Sequence, residues 1–164
     1  MISKIMQDAI NDQIQKELYS SYLYLSMAAY FADKNLSGFA HWMRVQEAEE
    51  REHAMKLYDF ILDRGGKVLL KAIDAPKTEW TSTLEVAEEV AAHEAKVTAS
   101  IHALYETALK EKDYPAQIML QWFISEQVEE EKNAGEIVAS LKLIEKGGTA
   151  VYVLDHQLGK RGGD

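Results

Sequence analysis

Apolar residues recur along this chain in alternating steps of four and three, in four separate stretches, and the pattern predicts four long helices. The first seam reads Ile10, Ile14, Glu17, Ser21, Tyr24, Ala28, Phe31, in a stretch from about Ser3 to Asp33 with no Pro or Gly. The second reads Phe39, Met43, Gln46, Glu50, His53, Leu57, Phe60. Ser37 is its expected N-cap, and Gly65-Gly66 should stop it after about Arg64. The third, from near Thr83 to near Lys112, reads Leu84, Ala87, Ala91, Glu94, Thr98, Ile101, Tyr105, Ala108. A break at Asp113-Tyr114-Pro115 follows, with Pro115 where a helix start tolerates it. The fourth seam reads Ala116, Leu120, Phe123, Gln127, Glu130, Ala134, Ile137, Leu141, Ile144, in a helix reaching about Lys146 before Gly147-Gly148. Gly135 offers this helix a place for a local bend. Thr149 is the expected cap of a short fifth helix over about 149–160, and the final KRGGD should fray.

Connection lengths set the topology. Only a few residues separate the first and second helices, and likewise the third and fourth, so each pair should form an antiparallel hairpin. Residues 65–82, GGKVLLKAIDAPKTEWTS, show no sustained period. A helix of this size is about 42 Å long, and eighteen extended residues span up to about 60 Å. The segment can therefore run the length of the bundle and start the third helix at the far end. The expectation is an all-α chain: residues 1–164 as a single domain, an antiparallel four-helix bundle over about 3–146 with one long crossover and a short fifth helix.

Composition narrows the functional classes. The formal net charge of −9 argues against nucleic acid or an anionic membrane as partner, and suits attraction of cations. The absence of cysteine excludes disulfides, iron–sulfur clusters and thiolate zinc sites. No apolar run approaches the ~18 residues of a membrane span, and the first residues lack a signal-peptide core. A soluble cytoplasmic protein is expected.

All four seams turn polar at their centres. Glu17, Glu50, His53, Glu94, Gln127 and Glu130 stand where Leu, Ile or Ala belongs. Counted from the hairpin turns, they fall at similar depths. Isolated buried carboxylates are too costly to persist without partners, and no Lys or Arg occupies the central seam positions. Four carboxylates carry a charge that two divalent cations would balance. Glu50 and His53, three apart on one helix face, offer an O,N pair suited to iron, manganese or zinc. Glu17 to Glu50 and Glu94 to Gln127 are both 33 residues, and an offset of 77 maps His53 onto Glu130 and Glu49 and Glu52 onto Glu126 and Glu129. The chain thus retains a pseudo-twofold repeat of helical hairpins, with the ligand-like positions among those kept. The competing reading is a polar core in mutual hydrogen bonds. Tyr24, two turns beyond Glu17, is either ordinary core or a hydrogen-bond or one-electron donor to the site. Trp122 is expected to pack, and His41, His93, His102 and His156 to be surface or interface residues.

Bundle, crossover and carboxylate layer together resemble the ferritin family over essentially the whole chain, with the non-haem bacterial and archaeal ferritins the nearest type. The symmetric di-metal pattern of ferritin-like proteins is a Glu from two helices and Glu-x-x-His from the other two; here Gln127-x-x-Glu130 replaces the second Glu-x-x-His. The resemblance implies a first metal on Glu17, Glu50 and His53 and a second on Glu50, Glu94 and Glu130, with Glu50 bridging and Gln127 orienting dioxygen or water. It further implies a third iron site near Glu49, Glu126 and Glu129. Arg51 follows Glu50 where haem-binding relatives carry a methionine, so no haem is expected. The implied activity is ferroxidase and iron storage, with Fe(II) and O₂ as substrates and a homo-oligomeric cage of 24 subunits. Residues Ala116-Gln117-Ile118-Met119-Leu120 lack the acids of a three-fold iron channel. The alternatives are a di-iron or di-manganese redox enzyme and a structural cage subunit that only holds mineral.

Overall fold

The computed structural model describes residues 1–144 and 148–160. Five helices follow in order: α1 (Lys4–Asp33), α2 (Ser37–Asp63), α3 (Thr83–Lys110), α4 (Tyr114–Ile144) and α5 (Gly148–Leu158). The expected stop of α4 between Lys146 and Gly147 and most of the C-terminal tail lie outside the described residues. Among those described, no helix is long and apolar enough to cross a membrane.

The helix starts show why the chain breaks where it does. Ser3 and Ser82 have extended backbones, and their hydroxyls accept from Met6 N and Glu85 N, satisfying amides that no helical carbonyl can reach. Asp113 plays the same part for α4, its Oδ1 accepting from Ala116 N at 3.1 Å. Arg64, at the end of α2, clamps the same carboxylate through both nitrogens, at 2.8 and 3.2 Å, and ties the two hairpins together.

Two expected caps differ. Ser37 is the first residue of α2 rather than its cap; Leu36 stands at the N-cap and makes no side-chain bond. The orphan amide of Phe39 is instead taken by Asp155 Oδ1 of α5 at 2.9 Å, a partner from the far end of the sequence. Thr149 lies inside α5, which begins one residue earlier. Gly135 needs no special packing: α4 continues through it, and an added Cβ would meet open space.

The crossover runs as expected beside α1. Lys67, Leu69, Ala72 and Lys77 backbone groups bond in turn to Gln7, Asn11, Gln15 and Ser26 side chains, so the segment advances with the helix along the bundle. Trp80 then closes on Tyr30, ring centroids 5.2 Å apart, before α3 begins. Contacts pairing Tyr30 with Trp80 at one end and Lys16 with Ser100 nearer the other set α1 antiparallel to α3. Gln46–Glu130 and Arg64–Asp113 set α2 antiparallel to α4.

Apolar side chains fill two separate cores. One gathers Tyr24, Met27, Phe31, Phe39, Met43, Val86, Val90 and Ile137. The other gathers Met6, Ile10, Ile14, Leu57, Ile61, Ile101, Leu120 and Phe123. The polar seam residues form the layer between them. Burial of side chains of this size, at about 25 cal/mol per Å² of apolar surface, supplies the free energy that tolerates such a layer.

α5 crosses the start of α2 so closely that a Cβ on Gly38 would overlap the carbonyl oxygen of Asp155. Glycine is required there by contact rather than by backbone conformation. Gly38→Ala is expected to push α5 away and strip the cap from Phe39, costing about 1–3 kcal/mol. Limited proteolysis should cut α5 faster in the variant while circular dichroism still reports an intact bundle; equal cutting rates would contradict the close contact.

Candidate metal centre

The central seam residues converge as their spacing implied. Glu17, Glu50, Glu94, Gln127, Glu130 and His53 are all buried, Glu50 and Glu94 completely. One donor atom each from Glu17, Glu50 and His53 lies within 4.8 Å of the others, close enough for a single cation. His53 Nδ1 stands 3.6 Å from Glu50 Oε2, the two side chains joined by their three-residue spacing on α2. Glu94 and Glu130 do not close into this group. They face it from α3 and α4, and their charges act on Glu50.

Each of those two is held by a donor. Tyr24 donates its hydroxyl to Glu94 Oε1. Gln127 Nε2 donates to Glu94 Oε2 at 3.2 Å and lies equally near Thr98 Oγ1. Gln46 Nε2 donates to Glu130 Oε2 at 2.9 Å, and Gln13 Nε2 to Glu17 Oε1 at 2.8 Å. Among the carboxylates of the layer, Glu17 Oε2 and both oxygens of Glu50 are buried with no donor from another residue type, and have only a proton shared between the two acids to meet them. Orphaned buried carboxylate oxygens cost several kcal/mol unless a cation or proton meets them. The hard oxygen donors and one imidazole suit a divalent iron. Arg64 cannot neutralise them, being committed to Asp113.

The outer acids are placed differently. Glu49 and Glu126 are half-buried, whereas Glu52 and Glu129 are exposed. Trp122 stands edge-on to His53 at 5.4 Å with the Lys56 ammonium 4.0 Å over its ring, which fits the packing expected of it. His93 departs from the surface role expected: its Nε2 pairs with buried Ser20 Oγ at 2.8 Å, and its ring meets Tyr24 edge-on. Periodicity missed Gln13 and gave Gln46 no role. Both stand four residues before a seam carboxylate, Glu17 and Glu50, and that repeated interval was the available signal.

Electrostatics follow from this crowding. Burial first, and the Glu50 charge second, push the Glu17 carboxyl up to about 8. Burial and then Glu94 push Glu50 well above the carboxylate range. Burial likewise raises Glu94, against the bonds from Tyr24 and Gln127. A carboxyl whose folded pKa exceeds its unfolded value stabilises the fold fully below the unfolded pKa and loses that contribution as pH rises through the folded one. For Glu17 the window runs from 4.5 to about 8. The metal-free protein should therefore melt at lower temperature at pH 8 than at pH 5, and saturating Zn(II) should remove most of the difference. Thermal melts of the protein and of Glu17→Gln check this; an identical slope in the variant would contradict it.

Comparison with known proteins agrees with this architecture. A family model described as a ferritin-like domain matches residues 7–144. A bacterial non-heme ferritin of Bacteroides fragilis is 45% identical over 161 residues, covering 98% of this chain and all of that one. Another, from Staphylococcus saprophyticus, is 40% identical over 164 residues, covering 100% of this chain and 98% of the relative. Among solved structures, an open pore ferritin from the archaeon Archaeoglobus fulgidus superposes with a TM-score of 0.97 at 50% identity, covering 98% of this chain and 99% of that one.

Proposed function

The chain belongs to the ferritin family, and from that premise we propose that it stores iron by oxidising Fe(II) in the central layer and holding the Fe(III) mineral inside a hollow cage of 24 copies. The observation that carries this reading is the set of orphaned oxygens on Glu17 and Glu50 beside His53. Even a proton shared between Glu17 and Glu50 would leave buried acceptors open, which a layer built only for mutual hydrogen bonding would not do.

The first iron takes Glu17, Glu50 and His53. The second takes Glu50, Glu94 and Glu130, so that Glu50, the one carboxylate of the layer with both oxygens open, serves both. Two Fe(II) each give one electron to O₂, which takes up two protons to leave as hydrogen peroxide. Oxygen-rich ligands favour the ferric state and so help drive the oxidation. Gln127 and Tyr24 hold Glu94 in place, which keeps the second iron's ligand from collapsing onto Glu50. Gln127 is also the group nearest in kind to an orienter of dioxygen or water there. Glu49, Glu126 and Glu129 provide a third, more open iron position next to Glu130, from which ferric product passes toward the mineral.

The test is direct. Metal-free protein receives Fe(II) without air, O₂ is admitted, and rate, iron retention and particle size are followed. Oxidation faster than in buffer, with iron retained in a large particle, is expected. Oxidation no faster than buffer would overturn the ferroxidase assignment, and turnover without retention in a small oligomer would favour a redox enzyme.

A further inference from the structure

We propose that Lys16 and Ser100 are positioning residues for the metal centre, joined to the Glu17 carboxylate through Gln13 by a one-way chain of hydrogen bonds. Lys16 Nζ donates to Ser100 Oγ at 2.6 Å. The Ser100 hydroxyl donates to Gln13 Oε1 at 2.6 Å. Gln13 Nε2 donates to Glu17 Oε1 at 2.8 Å. The chain leaves α1, crosses to α3 and returns to α1, so it also fixes the two helices at the level of the site.

Its direction is set by its ends. An ammonium only donates and a carboxylate only accepts, so the hydroxyl and the amide between them have a single orientation that satisfies both. Bonds aligned in this way polarise one another, and the cation's influence reaches a carboxylate it does not touch. Burial completes the device: Gln13 is 2% exposed and Glu17 1%, whereas Lys16 is exposed, on the rim of an outer groove of about 440 Å³ between α1 and α3. The chain does not conduct protons, because a primary amide would have to pass through its imidic acid form to relay one. What it does is pin Oε1. Glu17 Oε2, the other oxygen of this carboxyl, is then held toward Glu50 and His53. Residues that only orient a ligand in this way commonly change metal affinity by about 10–100-fold when lost.

This inference rests on Glu17 being an iron ligand, and the experiment separates the two. Assembled, metal-free protein is titrated anaerobically with Fe(II) at one fixed pH. Ser100→Ala should weaken the tight binding step by about tenfold, and Lys16→Met by about three- to tenfold. Ser100→Thr, which keeps the hydroxyl, should restore the affinity. Unchanged affinity in Ser100→Ala and Lys16→Met, or a threonine that fails to rescue, would overturn the positioning role. Glu17→Gln is run beside them. If it binds as tightly as the parent, the ligand reading fails and the proposal with it; if it alone loses tight binding, only the chain is refuted.

Discussion

Replacing Glu50 by alanine is expected to slow iron oxidation by at least about a hundredfold while leaving the helices folded. Losing a group that only orients a metal ligand already costs 10–100-fold, roughly. Glu50 is proposed as a ligand shared by both irons, and its loss should exceed that. Folding should survive for a separate reason. The carboxylate is fully buried, faces Glu94 and Glu130, and shares a hydrogen bond only with another crowded acid, Glu17, among the described residues. Alanine leaves a small void but removes like-charge repulsion and the desolvation of an unpartnered acid. The metal-free variant should melt within a few degrees of the parent at pH 8, and the added stability that metal gives the parent should largely vanish. Stopped-flow absorbance of ferric product and thermal melts with and without Zn(II) measure both. A variant that unfolds regardless of metal would instead mean that Glu50 serves the core as a hydrogen-bonded polar residue.

The same residue shows what the sequence carried. The 4-3 seams state which face of each helix turns inward, and a charged residue on such a face is visible as an exception. Matching 33-residue intervals then placed the exceptions at one level. Helix register across the bundle is a different quantity, and periodicity does not contain it. Gln13 falls between Ile10 and Ile14, off the seam, so only its four-residue interval to Glu17 hints at it as the donor. His93 precedes Glu94 and reads as surface until α1 brings Ser20 and Tyr24 against it. The cap of α2 differs for a related reason: Ser37 has the chemistry of a cap, but the Phe39 amide it would serve is met by Asp155, 116 residues away. Local propensity reports what one segment prefers, and the packed neighbour decides which preference is used.

Gln127→Glu should have the second large effect, acting on retention more than on binding. Gln127 is the point where the second hairpin departs from the first, and its amide is a donor to Glu94 Oε2 at 3.2 Å and to the Glu94 carbonyl at 3.4 Å. A glutamate of nearly equal size removes both donors and sets a carboxylate against a carboxylate. Two acids at that separation cannot both ionise without a cation between them. The metal-free variant should therefore lose stability on going from pH 5 to pH 8 more steeply than the parent. With iron the sign reverses: five carboxylates in the layer hold divalent metal more tightly than the four that two Fe(II) neutralise. Iron bound there leaves more slowly, so the first addition of Fe(II) should oxidise at close to the parental rate. Later additions should stall, and the iron held per subunit after repeated additions should fall several-fold. Storage needs a site that empties, and on the proposed function the neutral amide beside Glu94 would keep this one weak enough to do so. Parental iron loading in Gln127→Glu, with faster oxidation on every addition, would show that the amide does not limit retention and would move the chain toward the redox-enzyme reading.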